Sequence, residues 1–423
     1  KDFRDIYPDT ELYKLDYDDL VKRVSIMMPA EERVQMKEEI TRRLGEKYSF
    51  FIVDEIAFAQ SSLNGAGGGY AGQNAGWHLL AVNAPQAWTI TIGTSEVVVA
   101  VVDDGFDDTH QFLKDKIVKP YNVFTKNGQL DNASGHGTHT AGLAVGMVRE
   151  DGKAAGIAPG CSLMPIQVFD GNMCRTSSQV SGIAYAIHNG ADVVNMSVGC
   201  DFSAFRNYAP EEQLEIAKQK FKEVELLWRR VYRMALEKNT VLVFSTGNDN
   251  VVSYLNPQNR PDSIISVTAV NPQLQKSIFG GGSGSNFGIG STIAAPGSEI
   301  FSTVPVNDFG YMQGTSMAAP IVAGVVALMK SIDKNITIGE TIDILQKSGR
   351  PLSDPSLGPL VQADRALMLL KNGNLPSDDE RPRGGNETAP RDYSDIFRKI
   401  SEHQRAIGEL VRQLPPEEQK KFR

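Results

Sequence analysis

Val97-Val98-Val99-Ala100-Val101-Val102-Asp103-Asp104-Gly105 is the stretch that decides the fold. A strand with one wet face alternates apolar and polar residues. An unbroken run of valines is instead buried on both faces, as in a parallel sheet covered by helices on either side. Asp-Asp-Gly then stops the strand. A carboxylate at the carboxyl end of such a strand lies on the edge where open α/β sheets bind ligands. Taken alone, the same three residues are better read as a plain strand-ending turn.

Leu163–Val168, Val193–Met196, Val241–Phe244 and Ile264–Val267 repeat the pattern, and Ser177–His188 between them reads as a helix that Gly190 ends. Strands alternating with helices predict an α/β core of three layers around a mostly parallel central sheet, over about 77–370. Outside it, residues 1–62 are charged and read as helical. Pro29-Ala30-Glu31-Glu32 opens a run with Val34, Met36 and Ile40 that ends near Gly45. Residues 63–76, with Asn64-Gly-Ala-Gly-Gly-Gly-Tyr70-Ala-Gly72, form a flexible connector.

An insertion at 201–240 carries Leu214, Ala217, Phe221, Val224, Trp228 and Val231 at helical spacing, and predicts one long amphipathic helix over 210–238. Residues 371–392 are a polar linker, with Ser377-Asp-Asp-Glu-Arg-Pro-Arg-Gly-Gly at its centre. The tail, 393–423, holds a second amphipathic helix from Tyr393 to Leu414, stopped by Pro415-Pro416. Both terminal extensions are therefore expected to be helical, with faces fit to dock on the core or on a partner.

The 423 residues carry a net charge of −8, with 41% hydrophobic and 22% charged residues, ordinary for a folded domain of this size. An acidic balance gives no reason to expect nucleic acid or an anionic membrane as partner. Runs such as Val97–Val102 are too short to span a bilayer. The chain begins at Lys1, as a processed or trimmed form would, so compartment is not read from a missing leader. Cys161, Cys174 and Cys200 form no C-x-x-C pair, which argues against zinc ribbons and thioredoxin-like chemistry.

Gly314-Thr315-Ser316-Met317-Ala318-Ala319-Pro320 opens an apolar helix, so Ser316 sits where the positive end of a helix dipole meets developing negative charge. A Ser there also serves as an ordinary helix cap. In Ser134-Gly135-His136-Gly137-Thr138-His139-Thr140-Ala141-Gly142 the two histidines lack a nearby carboxylate ligand, a poor zinc site, and His136 reads better as a general base. Val241-Leu-Val-Phe-Ser245-Thr246-Gly247-Asn248 is another buried strand whose Asn can donate to an oxyanion or merely shape a turn.

The order Asp103, His136, Ser316 is that of the subtilisin triad, against His-Asp-Ser in chymotrypsin and Ser-Asp-His in α/β-hydrolases. From about Trp77 to Leu370 the chain resembles the subtilisin-like serine proteases. His-Gly-Thr-His-Thr-Ala-Gly and Gly-Thr-Ser-Met-Ala-Ala-Pro are near-complete motif matches. Asp-Asp-Gly replaces the more usual Asp-Thr-Gly, as in the proprotein-convertase branch. Gly156-Ile-Ala-Pro-Gly160, Val193-Val-Asn-Met-Ser-Val-Gly199 and Ile293-Ala-Ala-Pro-Gly297 are further similar stretches.

The resemblance implies a subtilisin-like fold, Ser316 as nucleophile, His136 as base, Asp103 as its orienting carboxylate, and Asn248 in the oxyanion hole. It also implies a P1 pocket lined by Ser197, Val198, Gly199 and Ser245, Thr246, Gly247, a substrate bound as an extended strand, and no cofactor or metal for catalysis. Asp249 at the pocket rim reads either as a selector of basic or polar P1 side chains or as a solvated surface charge. Residues 1–62 stand where the family carries a propeptide, and the resemblance leans to a secreted or extracytoplasmic setting. One departure concerns calcium. Many subtilisins read His-Pro-Asp-Leu where this chain reads His110-Gln111-Phe112-Leu113. Phe offers a hard cation no oxygen, and the loop Val148–Lys153 that would complete the site carries Arg149 and Lys153, so the usual strong calcium site is expected to be absent.

Overall fold

The computed structural model describes residues 14–18, 23–28, 32–44, 58–59, 75–131, 134–171, 173–374 and 393–413. Its centre is a parallel sheet of seven strands: β1 (Val98–Asp103), β2 (Tyr121–Asn122), β3 (Ser162–Gln167), β4 (Val193–Met196), β5 (Val241–Ser245), β6 (Ile265–Val270) and β7 (Ile293–Pro296). Their spatial order is β7-β6-β5-β4-β1-β3-β2, with every pair parallel. The expected strands therefore form, shifted by at most a few residues at their ends.

The unbroken apolar runs are explained by the pleat. Val99 and Val101 of β1 face one core cluster, and Ala100 and Val102 face another on the opposite side. On the first side lie α1 (His136–Val145) and α5 (Thr315–Ile332). On the second lie α2 (Thr176–His188) and α4 (Lys222–Lys238). α5 is long and apolar enough to cross a membrane. It is instead the central core helix, buried from Met317 to Lys330 against strands β4 to β7.

Two expectations need correction. The segment 210–238 is not one helix but two, α3 (Pro210–Gln219) and α4. Between them Phe221 adopts φ 65° and sets its ring edge-on to Phe202, 5.8 Å away, in a small cluster with Ala217, Val251 and Leu255. Filling that cluster takes Phe221 out of helical register. α4 is moreover no mere addition, because Trp228, Val231, Tyr232 and Ala235 cover the sheet itself.

The N-terminal extension is likewise not wholly helical. Lys14–Asp18 and Arg23–Met27 pair as antiparallel strands, followed by the helix Arg33–Leu44, and Phe58–Ala59 adds to an edge strand at Met173–Cys174. Leu15 and Tyr17, and then Val24 and Ile26, alternate with polar residues, the period-2 signal of a strand.

The expected C-terminal helix forms as α6 (Ser394–Gln413), and its apolar face docks on the α/β core through Tyr393, Ile396, Phe397 and Ile400. The glycine-rich stretch 64–72, the centre of the polar linker at 375–392, and residues 414–423 lie outside the described residues.

Candidate active site

β1 delivers Asp103, fully buried, to the carboxyl edge of the sheet. Its Oδ1 meets His136 Nδ1 at 2.7 Å and also accepts the Asp104 N–H at 2.8 Å, while Oδ2 accepts the Thr140 hydroxyl at 3.0 Å. These three donors immobilise the carboxylate, and the bond to Nδ1 leaves Nε2 of the imidazole for a second partner. His136 keeps 16% of its side chain exposed. Burial pulls its pKa down, but the charge and hydrogen bond of Asp103, with the charge of Asp104, outweigh this and raise it to about 9.

Ser316 stands in the first turn of α5, behind the Gly314 N-cap. Its Oγ donates to Ser197 O at 3.0 Å, and Ser197 Oγ donates back to Ser316 O at 2.9 Å. That second bond has a covalent origin. Ser316 O would ordinarily accept the N–H four residues on, but residue 320 is Pro and has none, so the carbonyl is released to Ser197. No Ser316–His136 hydrogen bond closes among the described residues. In substrate-free sites such bonds are often loose and tighten in the complex.

Asn248 follows the end of β5. Its Oδ1 accepts both the N–H and the hydroxyl of Thr315, at 2.9 and 3.0 Å. The expected pocket residues come from two adjacent strand ends, Ser197–Gly199 after β4 and Ser245–Gly247 at β5. Gly247 is obligatory there, with φ 106° and Asn286 Nδ2 only 2.5 Å from where a Cβ would sit. Asp249 is partly exposed. Burial first, and then Asp201, raise its pKa to about 6 against the Phe202 N–H and Arg206. Sequence reasoning missed the supporting set of Asp104, Ser134, Thr140 and Thr315, which read as turn and helix-start residues.

The place where calcium would be expected does not suit a cation. The Phe112 ring packs edge-on to Phe309 at 5.1 Å, and the Arg149 guanidinium lies over the Phe309 ring at 4.7 Å. The adjoining loop is held by protein: Gln404 of α6 accepts the Val148 N–H at 3.0 Å and donates to Pro159 O at 2.8 Å.

Comparison with known proteins bears on this geometry. The model of the subtilase family, Peptidase_S8, matches residues 94–355. A thermophilic serine proteinase of a Bacillus species is 33% identical over 259 residues, 61% of this chain and 58% of that protein. Thermitase of Thermoactinomyces vulgaris is 32% identical over 251 residues, covering 59% of this chain and 80% of its own length. Among solved structures, a protease of Pseudoalteromonas arctica superposes with a TM-score of 0.55 at 25% identity, covering 71% of this chain and 96% of that one. With the family model spanning more than half of its length, the chain belongs to the subtilase family of serine proteases.

Proposed function

We propose that the chain hydrolyses peptide bonds within proteins through an acyl-enzyme on Ser316. Ser316 Oγ turns from Ser197 O to His136 Nε2, gives up its proton there and attacks the scissile carbonyl. His136 then passes that proton to the leaving amine, and water repeats the sequence to release the acid. Asp103 holds the imidazole by its Nδ1 and stabilises the imidazolium. The Asn248 amide and the Ser316 N–H receive the oxyanion. The pocket between Ser197–Gly199 and Ser245–Gly247 takes the P1 side chain. The observation that carries this reading is the 2.7 Å Asp103–His136 bond, made by a fully buried carboxylate.

A fluorophosphonate probe tests it. Mass mapping is expected to find the label on Ser316, and to lose it in both Ser316→Ala and His136→Ala. A wild-type chain that is folded yet takes no label would instead be a silent scaffold of the same fold.

The segment 1–62 acts in this reading as a propeptide. The pairing of Phe58 with Cys174 and Ala59 with Met173 supports it, since an added antiparallel strand is how an extended peptide occupies a protease edge. Asp18 accepts a hydrogen bond from Ser181 of α2, which joins the N-terminal hairpin to the catalytic domain. Residues 73–423 made alone should refold slowly or be unrestrained, and residues 1–62 added as a separate chain should inhibit them or speed their refolding. An added segment that does neither removes the propeptide role.

A further inference from the structure

Peptide hydrolysis by a triad asks for one buried carboxylate, and this chain buries two in succession. Asp103 is 0% and Asp104 2% exposed. Two adjacent carboxylates away from water repel each other, so the second persists only where its oxygens are well used. Both are. Oδ1 accepts the Gly137 N–H at 2.8 Å, and Oδ2 accepts the Ser134 hydroxyl. Ser134 Oγ in turn accepts the His136 N–H at 3.3 Å.

The Gly137 N–H belongs to the first turn of α1, and Ser134 stands just before its N-cap. A helix leaves its first N–H groups without internal partners, and a side chain at the N-cap ordinarily satisfies one. Here the N-cap is Gly135, at φ 83°, with no side chain to offer. The cap is supplied instead from the end of β1, 33 residues upstream. The close approach needed for this is visible at Gly137, where a Cβ would lie 2.3 Å from Gly105 O.

We propose that Asp104 is a positioning residue for the triad: it caps the turn that carries His136, fixes the imidazole relative to Asp103 and Ser316, and adds its charge to that of Asp103 on the imidazolium. The proposal rests on the triad reading above. It differs from a substrate-binding role because Asp104 is buried and both oxygens are occupied within the protein.

The electrostatic part follows from what surrounds His136. Asp103 at the end of β1 and Asp104 just after it act on it, and His139 does so from its own helix. The strands packed on α1, β3 and Ile300–Val304, bring no titratable side chain, and α5 brings only Lys330, near its far end. In the loop after β1, Asp107 is committed to Thr109 and the Val306 N–H, and His110 Nε2 to Asp308 O. Asp104 is thus the second negative charge acting on the imidazole. Its own pKa is raised to about 6, chiefly by burial and then by Asp103, so it is ionised over the alkaline range where His136 titrates.

Two variants of the full chain separate geometry from charge. Asp104→Ala removes both, and kcat is expected to fall about 10- to 100-fold with KM nearly unchanged, the loss expected of a misplaced catalytic group. Asp104→Asn keeps an acceptor for Gly137 and removes the charge. It should recover most of kcat at alkaline pH, while the acid limb of the kcat/KM profile moves about one unit lower. If Asp104→Ala does not fold, the isosteric Asn variant decides by its pH limb alone. Folded variants whose kcat and pH limb match wild type overturn the proposal. So does a loss confined to KM that differs between peptides with basic and neutral residues beside the scissile bond. Fluorophosphonate labelling of wild-type Ser316 is run alongside. If the label is absent the triad reading itself has failed, and if it is present while the variants behave as wild type, only the positioning role has.

Discussion

Thr315 fixes which way the Asn248 amide points. A backbone N–H can only donate, so the Asn248 atom 2.9 Å from Thr315 N is its oxygen, and the Thr315 hydroxyl adds a second donor to the same atom at 3.0 Å. The Nδ2 group is left to donate elsewhere, and it lies on the Gly314 side, beside the turn that carries Ser316. Asn248→Ala and Asn248→Asp should therefore fail alike in the steady state, since neither can donate from that position. Each is expected to lower kcat by about 10²–10³ with little change in KM, a magnitude that is subtilisin's own. A loss carried mainly in KM would place Asn248 in ground-state binding.

Activity should fall as acid is added, and should do so from an unusually high pH. In the proposed mechanism His136 must be neutral to accept the Ser316 proton. Asp103 and Asp104 hold its pKa above the ordinary 6.5, at about 9, so the neutral fraction shrinks as pH drops through that range. The kcat/KM profile is expected to show an acid limb alkaline of 6.5. A limb at or below 6.5 would mean that the two carboxylates do not act on the free enzyme as described.

His78 gives a stability prediction. It is fully buried, and neither ring nitrogen has a hydrogen-bond partner among the described residues. Burial alone lowers its pKa to about 3. The unfolded chain protonates it below about 6.5 and the folded chain refuses, so its contribution to stability is intact above that pH and is lost as pH falls from 6.5 towards 3. Asp104 and Asp249, both raised to about 6, act in the opposite sense, so the whole-protein curve hides the effect. A difference reveals it. Relative to wild type, His78→Leu should gain about 2 kcal/mol between pH 7 and pH 5 in urea unfolding. An unchanged difference would mean that His78 finds a partner in solution.

Particular residues show how much of this was legible. The valine run of β1 and the motifs around His136 and Ser316 specify strand, helix and chemistry together, because a doubly covered strand has almost no other composition. The insertion misled because Leu214, Phe221 and Trp228 keep helical spacing straight through the break. Nothing in a Phe announces φ 65°, which is imposed by packing on Phe202. The N-terminal hairpin was missed for a different reason: its alternation spans only five residues per strand, amid charges that suit a helix equally well. Asp104 reads as a turn residue in the sequence because its partners, Ser134 and Gly137, are distant along the chain.

The C-terminal helix should matter to stability more than any divalent ion does at the loop it covers. Phe397 is 7% exposed, sits edge-on to Trp88 at 5.7 Å, and fills the space against Gly152. Seven residues on, Gln404 satisfies Val148 N and Pro159 O, and Arg405 pairs with Glu150 at 2.8 Å. These contacts span the segment that follows the His136 helix, so α6 braces the far end of the element whose near end holds His136. Truncating Phe397 to Ala is expected to cost about 3–5 kcal/mol, as for other buried aromatic rings. Gln404→Ala leaves the Val148 N–H unpaired and should cost about 1–3 kcal/mol. The exposed Arg405–Glu150 pair should contribute little. Thermal melts of these variants, with and without EDTA, check the argument, and turnover at moderate temperature should withstand chelation. The expected result is a lowered Tm in Phe397→Ala and Gln404→Ala that calcium does not restore. A wild-type enzyme that loses activity in EDTA, or variants that calcium rescues, would show that an ion and not α6 holds this segment.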